Sequence, residues 1–205
     1  MPTISLTDFV DFAIAAGPSQ LTKVREIANR GGYDPKFDFW KQLREGIRKL
    51  HENGTKLDPV LVGLTDPKKI KRYPAAVKAY KKFLGKKSLG WFEPPSGLWT
   101  YEGLTVKVNP ELGLEIGGQK VAAKLYFKDE RPTRQRLRVV FELMRSSLDL
   151  NEGTVPGVID VGSSRLIPPT SSEGLSVLLE AQALAFMHLW NSITASAKAA
   201  GAGTK

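Results

Sequence analysis

The chain has 205 residues, 41% of them apolar, no cysteine and a formal net charge of +9. That apolar share can build a core, while the lack of cysteine excludes disulfides, thiolate metal sites and cysteine nucleophiles. The charge is polarised: residues 1–90 hold 18 basic and 9 acidic side chains, and residues 91–205 hold 12 and 12. A field of one sign over one part of a protein gathers polyanions, so nucleic acid, DNA or RNA, is the expected partner.

The first residues show neither the basic start nor the apolar run of a signal peptide, and the expected compartment is the cytoplasm. Ser5 or Thr7 caps a short predicted helix carrying Phe9, Val10, Phe12 and Ile14, which Gly17-Pro18 stops. A second runs from Gln20 to Arg30, behind Ser19 and ahead of Gly31-Gly32. Asp34-Pro35 opens a third, expected to reach Asn53-Gly54, with Phe39, Trp40, Leu43, Ile47 and Leu50 as its apolar stripe. Three short helices with a glycine turn suggest a helix-turn-helix reader, but the pattern is common in ordinary helical bundles.

Nine bases and no acid lie between Pro67 and Phe92: Lys68, Lys69, Lys71, Arg72, Lys78, Lys81, Lys82, Lys86 and Lys87. A helix starting at Pro74 is expected here, with Tyr73, Val77, Tyr80 and Leu84 on its apolar face and lysines on the other. A surface made only for solubility mixes both signs. The one-signed run therefore reads as a phosphate-contacting face. The neighbouring aromatics Tyr73, Tyr80, Phe83, Trp91 and Phe92 would stack on bases if exposed.

The proline-rich stretch 91–99 marks the joint between this helical basic region, residues 1–90, and an α+β region, residues 91–195, packed as one unit. Strands are expected over 104–108, 112–116 and 121–127, with Gly117-Gly118 as a hairpin turn, giving a three-stranded antiparallel β-meander. In the third strand Val121, Ala123, Leu125 and Phe127 form one face, and Ala122, Lys124, Tyr126 and Lys128 the other, partly basic one. A helix from Pro132 follows, buried through Leu137, Val140, Phe141, Met144 and Leu148 and carrying a row of Arg134, Arg138 and Arg145. That row is the second expected phosphate-binding element.

A short strand over 157–161 and another at 165–167 lead to a last helix, about 172–193, apolar over more than half its circumference. Glu180, Gln182 and His188 interrupt its apolar run, so it reads as a buried helix, not a membrane span, and as a possible homo-oligomer interface. Residues 196–205 read as a disordered tail.

The order helix, three strands, helix, strand over 74–161 resembles the core of the PD-(D/E)xK nuclease superfamily. In that family an acid on one strand and an acid-x-lysine on the next hold a divalent metal beside a lysine that steadies the attacking water. The resemblance implies Glu115 and Lys124, with Asp160 as a further acid, and Mg or Mn as the cofactor. Ala122 stands where the second acid belongs. The sequence offers no other catalytic set: His51 and His188 are far apart, Ser163-Ser164 has no visible base, and the glycines at 113, 117 and 118 do not lead a strand into a helix.

Three classes of function stand at this stage. They are a non-enzymatic nucleic-acid-binding protein without metal, a metal-dependent nuclease on Glu115, Lys124 and Asp160, and an interaction or assembly module whose basic run binds an acidic protein.

Overall fold

A computed structural model describes residues 1–30, 38–151, 153–171 and 174–202, excepting the side chains of 197–202. The class is α+β, as the sequence implies. Two sheets organise it. A five-stranded sheet runs β2 (Leu89–Phe92), β5 (Leu112–Ile116), β6 (Gln119–Tyr126), β7 (Thr154–Asp160) and β8 (Arg165–Ile167). Its pairs are antiparallel except β6 and β7, which run parallel. The crossover between these two is the helix α5 (Arg134–Ser147). A three-stranded sheet has β4 (Leu104–Val108) in the middle, parallel to β1 (Thr3–Ser5) and antiparallel to β3 (Gly97–Tyr101).

The expected meander is therefore broken between its first two strands. β3 and β4 are joined by Glu102-Gly103, whose φ values of 43° and 86° make a tight hairpin with Tyr101 opposite Leu104. With β3 on one edge and β1 on the other, β4 has no edge left for β5. Buried Pro110, with no N–H for a ladder, lies where the chain passes to the other sheet. The hairpin at Gly117-Gly118 is present, φ 57° and 81°, and pairs Ile116 with Gln119. The β1–β4 pairing also ties residues 3–5 into the later half of the chain, so the first 90 residues are not purely helical.

α1 (Leu6–Ala13) is capped by the Ser5 hydroxyl, which accepts from the Asp8 N–H at 3.1 Å. α2 (Pro18–Asn29) begins on proline, with Gly17 in the left-handed region. The third helix, α3 (Lys41–Asn53), ends at left-handed Gly54 as expected; its proposed start at Asp34-Pro35 lies outside the described residues.

The basic helix α4 (Pro67–Leu84) starts seven residues before the expected Pro74. Asp66 accepts from the Lys68 N–H at 2.8 Å, and Pro67 takes the first turn, where a missing N–H costs nothing. Pro74 sits inside the helix on an exposed position, where the unbonded carbonyl can be hydrated. The last helix, α6 (Leu175–Ala202), runs through the alanine-rich residues expected to be disordered, in keeping with the helix propensity of alanine.

The five-stranded sheet is covered on both faces. Val121, Ala123 and Leu125 of β6 share a core with Leu43 and Ile47 of α3 and with Tyr73, Val77, Tyr80 and Phe83 of α4. Ala122 belongs with Val158 of β7 to the opposite core, which α1, α5, α6 and the small sheet complete. The face expected to be open and partly basic thus lies under α5. Leu175, Leu179, Ala183 and Phe186 bury one stripe of α6, while Val177, Leu178 and Leu184 stay exposed on its outer side. That outer side is where the expected oligomer would form. No helix among the described residues is long and apolar enough to cross a membrane.

Candidate functional site

α4 separates its residues into two opposed faces. At about 100° per residue, Tyr73, Val77, Tyr80 and Phe83 cluster toward the core, all at most 3% exposed. Lys68, Lys71, Lys78 and Lys82 are exposed and fall within an arc of about 80° on the far side. The four span roughly 21 Å of helix. None has a carboxylate partner among the described residues.

The remaining cations of the run behave differently. Lys81 is held by Asp58 at 2.6 Å and keeps that carboxyl below its usual range. Arg72 pairs with Asp129. Lys69 lies over the Tyr73 ring at 5.9 Å and Lys87 over Phe83 at 4.5 Å. Lys86 is exposed just past the cap at Gly85, off the helix proper. The nine cations of the sequence thus reduce to a stripe of four with Lys86 at its end.

The arginine row is elsewhere. α5 packs on the opposite face of the five-stranded sheet from α4. Arg138 Nε donates to the Ser171 carbonyl at 3.3 Å and Arg145 to the Thr170 carbonyl at 2.9 Å, pinning the segment ahead of α6. Arg134 is exposed at the first position of α5. The structure therefore does not join Arg134, Arg138 and Arg145 to the lysine stripe.

Nor are the expected stacking surfaces open. Tyr73 and Tyr80 are fully buried and Phe83 nearly so. Trp40 is sandwiched between Tyr73 and Phe127, at 5.4 and 4.8 Å. Trp91 and Phe92 are half-buried beneath Arg48 and Lys120, and half-buried Trp99 stacks on Phe9. What α4 presents is charge without rings, a surface suited to phosphates and not to bases.

The nuclease-like set is not brought together. In the β5–β6 ladder Glu115 faces Lys120, and the same register carried back places Glu111 against Lys124. Four residues of strand, about 13 Å, separate Glu115 from the level of Lys124. Glu111 bonds the Lys124 ammonium and accepts the Leu125 N–H at 2.7 Å, with Arg44 Nε at 3.9 Å. Asp160, 3% exposed, accepts from the Ser163 hydroxyl at 2.5 Å and shapes the turn after β7.

This donor set does not fit a divalent cation. Glu111 is hemmed in by two cations and an N–H, and Ala122 offers no oxygen. Among the described residues no group of three or more metal-binding side chains assembles.

The other charged grouping lies around a cavity of about 240 Å³ between α1, α5 and the end of β6. Asp11 of α1 meets Lys128 at 2.8 Å, Arg136 at 2.6 Å and Lys23 at 3.9 Å. Burial alone would raise the Asp11 pKa, but bonds from Lys128 and Arg136 outweigh it and hold the carboxyl below its ordinary value. Sequence reading missed this grouping, because Asp11 and Lys128 are 117 positions apart. His51 is half-buried against α4, its Nε2 2.7 Å from the Tyr80 hydroxyl, and desolvation lowers its pKa to about 4.

Comparison with known proteins finds no family, no curated protein and no solved structure that matches this chain.

Proposed function

We propose that the protein binds nucleic acid through α4, as a non-enzymatic binder that contacts the phosphate backbone. The observation that carries this reading is the stripe of Lys68, Lys71, Lys78 and Lys82, exposed on the side of α4 opposite its core and, among the described residues, free of carboxylate partners. A helix held only for solubility has no need to leave four like charges unbalanced along one line, since their mutual repulsion opposes folding. Phosphates spaced along a strand relieve that repulsion and release counterions as they bind. Buried aromatics beside the helix favour backbone contact over base stacking.

The nuclease alternative rests on an order of three consecutive paired strands that the structure breaks between β4 and β5, its acids are apart, and its donors do not suit a metal. The test is fluorescence anisotropy of labelled oligonucleotides against protein at several salt concentrations. The expected log–log slope of affinity against salt is about −3 to −4, from four phosphates neutralised. Association absent, or indifferent to salt, overturns the reading. Equal binding to polyglutamate would transfer the stripe to an acidic protein partner.

A further inference from the structure

We propose that the cavity between α1, α5 and the end of β6 binds a small organic anion, a carboxylate or phosphate on a compact apolar body of about ten heavy atoms. None of the lysines of the α4 stripe lines this cavity, so the inference is independent of the nucleic-acid reading.

Size comes first. The cavity measures about 240 Å³. A dry cavity of about 150 Å³ is known to take up benzene, so this one has room for a ring and a charged group together.

Chemistry of the walls comes second. Val10, Leu137, Val140 and Val158 supply an apolar floor from three different elements. Lys124, Lys128 and Arg136 bring cationic heads to the same space. The side chains of Lys124 and Arg136 are only 18% and 13% exposed, so water reaches them poorly. Buried cations need acceptors for their N–H groups.

Two carboxylates, Asp11 and Glu111, supply most of those acceptors, and each is shared. Asp11 is shared between Lys128 and Arg136, with Lys23 at 3.9 Å, which also reaches Glu26 at 3.4 Å. Glu111 is likewise shared between Lys124, Arg44 and the Leu125 N–H. A carboxylate or a phosphate suits the cationic heads of Lys124, Lys128 and Arg136, while an apolar body fits the floor.

Position comes third. Lys124 to Lys128 span the carboxyl end of β6, where the chain leaves the parallel pair β6 and β7 to cross through α5. The cationic heads thus stand together at the strand end from which the crossover helix departs.

The same chemistry is offered by a free organic acid and by the phosphorylated end of a nucleic-acid strand. Calorimetric titration of the full chain with benzoate, phenyl phosphate, benzyl alcohol and inorganic phosphate reads the pocket. Benzoate or phenyl phosphate is expected to bind at least tenfold more tightly than both benzyl alcohol and inorganic phosphate, and to raise Tm in proportion to occupancy. Lys128→Gln removes a cation from a side chain already 45% exposed, so the fold tolerates it. It is expected to weaken the tighter anion about tenfold, while Lys82→Gln on α4 leaves that affinity unchanged. Competition by a 5′-phosphorylated oligonucleotide, but not by its unphosphorylated twin, assigns the strand end as occupant; competition by neither assigns a free acid. The proposal is overturned if neither anion binds, if the neutral alcohol or bare phosphate binds equally well, or if Lys128→Gln binds like the wild type.

Discussion

Lys124 on β6 meets Glu111 at the head of β5 and not Glu115, four residues further along the same strand. The pairing follows from the turn. Gly117-Gly118 sets Ile116 opposite Gln119, and counting back pair by pair brings Glu115 to Lys120 and Glu111 to Lys124. Both acids lie on one face of the strand, but only Glu111 lies in the buried part, its side chain 14% exposed.

Glu111→Gln leaves the Lys124 ammonium without its acid in a poorly hydrated place. A loss of about 2 kcal/mol of stability is expected. Glu115→Gln, on an exposed position, is expected to stay within about 0.5 kcal/mol. Urea unfolding of the two variants checks the contrast, and equal effects contradict the assignment.

His51 gives the protein an acid-sensitive contact. Burial lowers its pKa to about 4, whereas an unfolded histidine titrates near its ordinary value of 6.5. Between these values the unfolded chain holds more protons, so the contribution of His51 is complete above 6.5 and is lost as pH falls toward 4. The loss is on the order of 2 kcal/mol after allowance for partial solvent contact. Stability measured from pH 7 to pH 4 should fall less steeply in His51→Gln, which can still accept from Tyr80; parallel curves would remove the claim.

Asp66 starts the helix that carries the lysine stripe. Asp66→Ala removes the acceptor of the Lys68 N–H and is expected to cost about 1 kcal/mol. Thermal unfolding reads it, and an unchanged Tm would show that the cap is not what sets the start of α4.

Gly97 at the head of β3 has no room for a side chain. A Cβ there would lie 1.8 Å from the Ser147 carbonyl oxygen. Since that obstacle is backbone at the end of α5, Gly97→Ala is expected to destabilise by more than about 3 kcal/mol. A variant that unfolds at the wild-type denaturant midpoint would contradict this packing.

Much of the fold was legible in the chain, in its local signals. Ser5, Gly54 and Gly117-Gly118 acted as the sequence implies, because caps and two-residue turns are decided by neighbours in sequence. Asp66-Pro67 carries the same start signal as Asp34-Pro35, and Pro74 obscured it, since a proline eight positions in usually ends or begins a helix. The meander failed for a non-local reason: β1, about a hundred residues away, takes the edge of β4 that a hairpin would have used. The candidate surface was half legible. Periodicity put the lysines on one face of α4, but which of them an acid neutralises depends on Asp58 and Asp129, brought in by the tertiary fold. The same holds for the arginines of α5, whose helix follows its crossover to the far face of the sheet.

The central claim is that the exposed lysine stripe of α4 is the surface that nucleic acid touches. Its most direct test compares the salt dependence of oligonucleotide binding in the wild type and in a variant with Lys68, Lys71, Lys78 and Lys82 all changed to Gln. Arg134→Gln/Arg138→Gln/Arg145→Gln serves as the control on the opposite face. The account predicts that the quadruple change weakens binding and flattens the log–log slope by about 3, while the α5 variant keeps the wild-type slope. A quadruple variant that binds with the wild-type affinity and slope would contradict it.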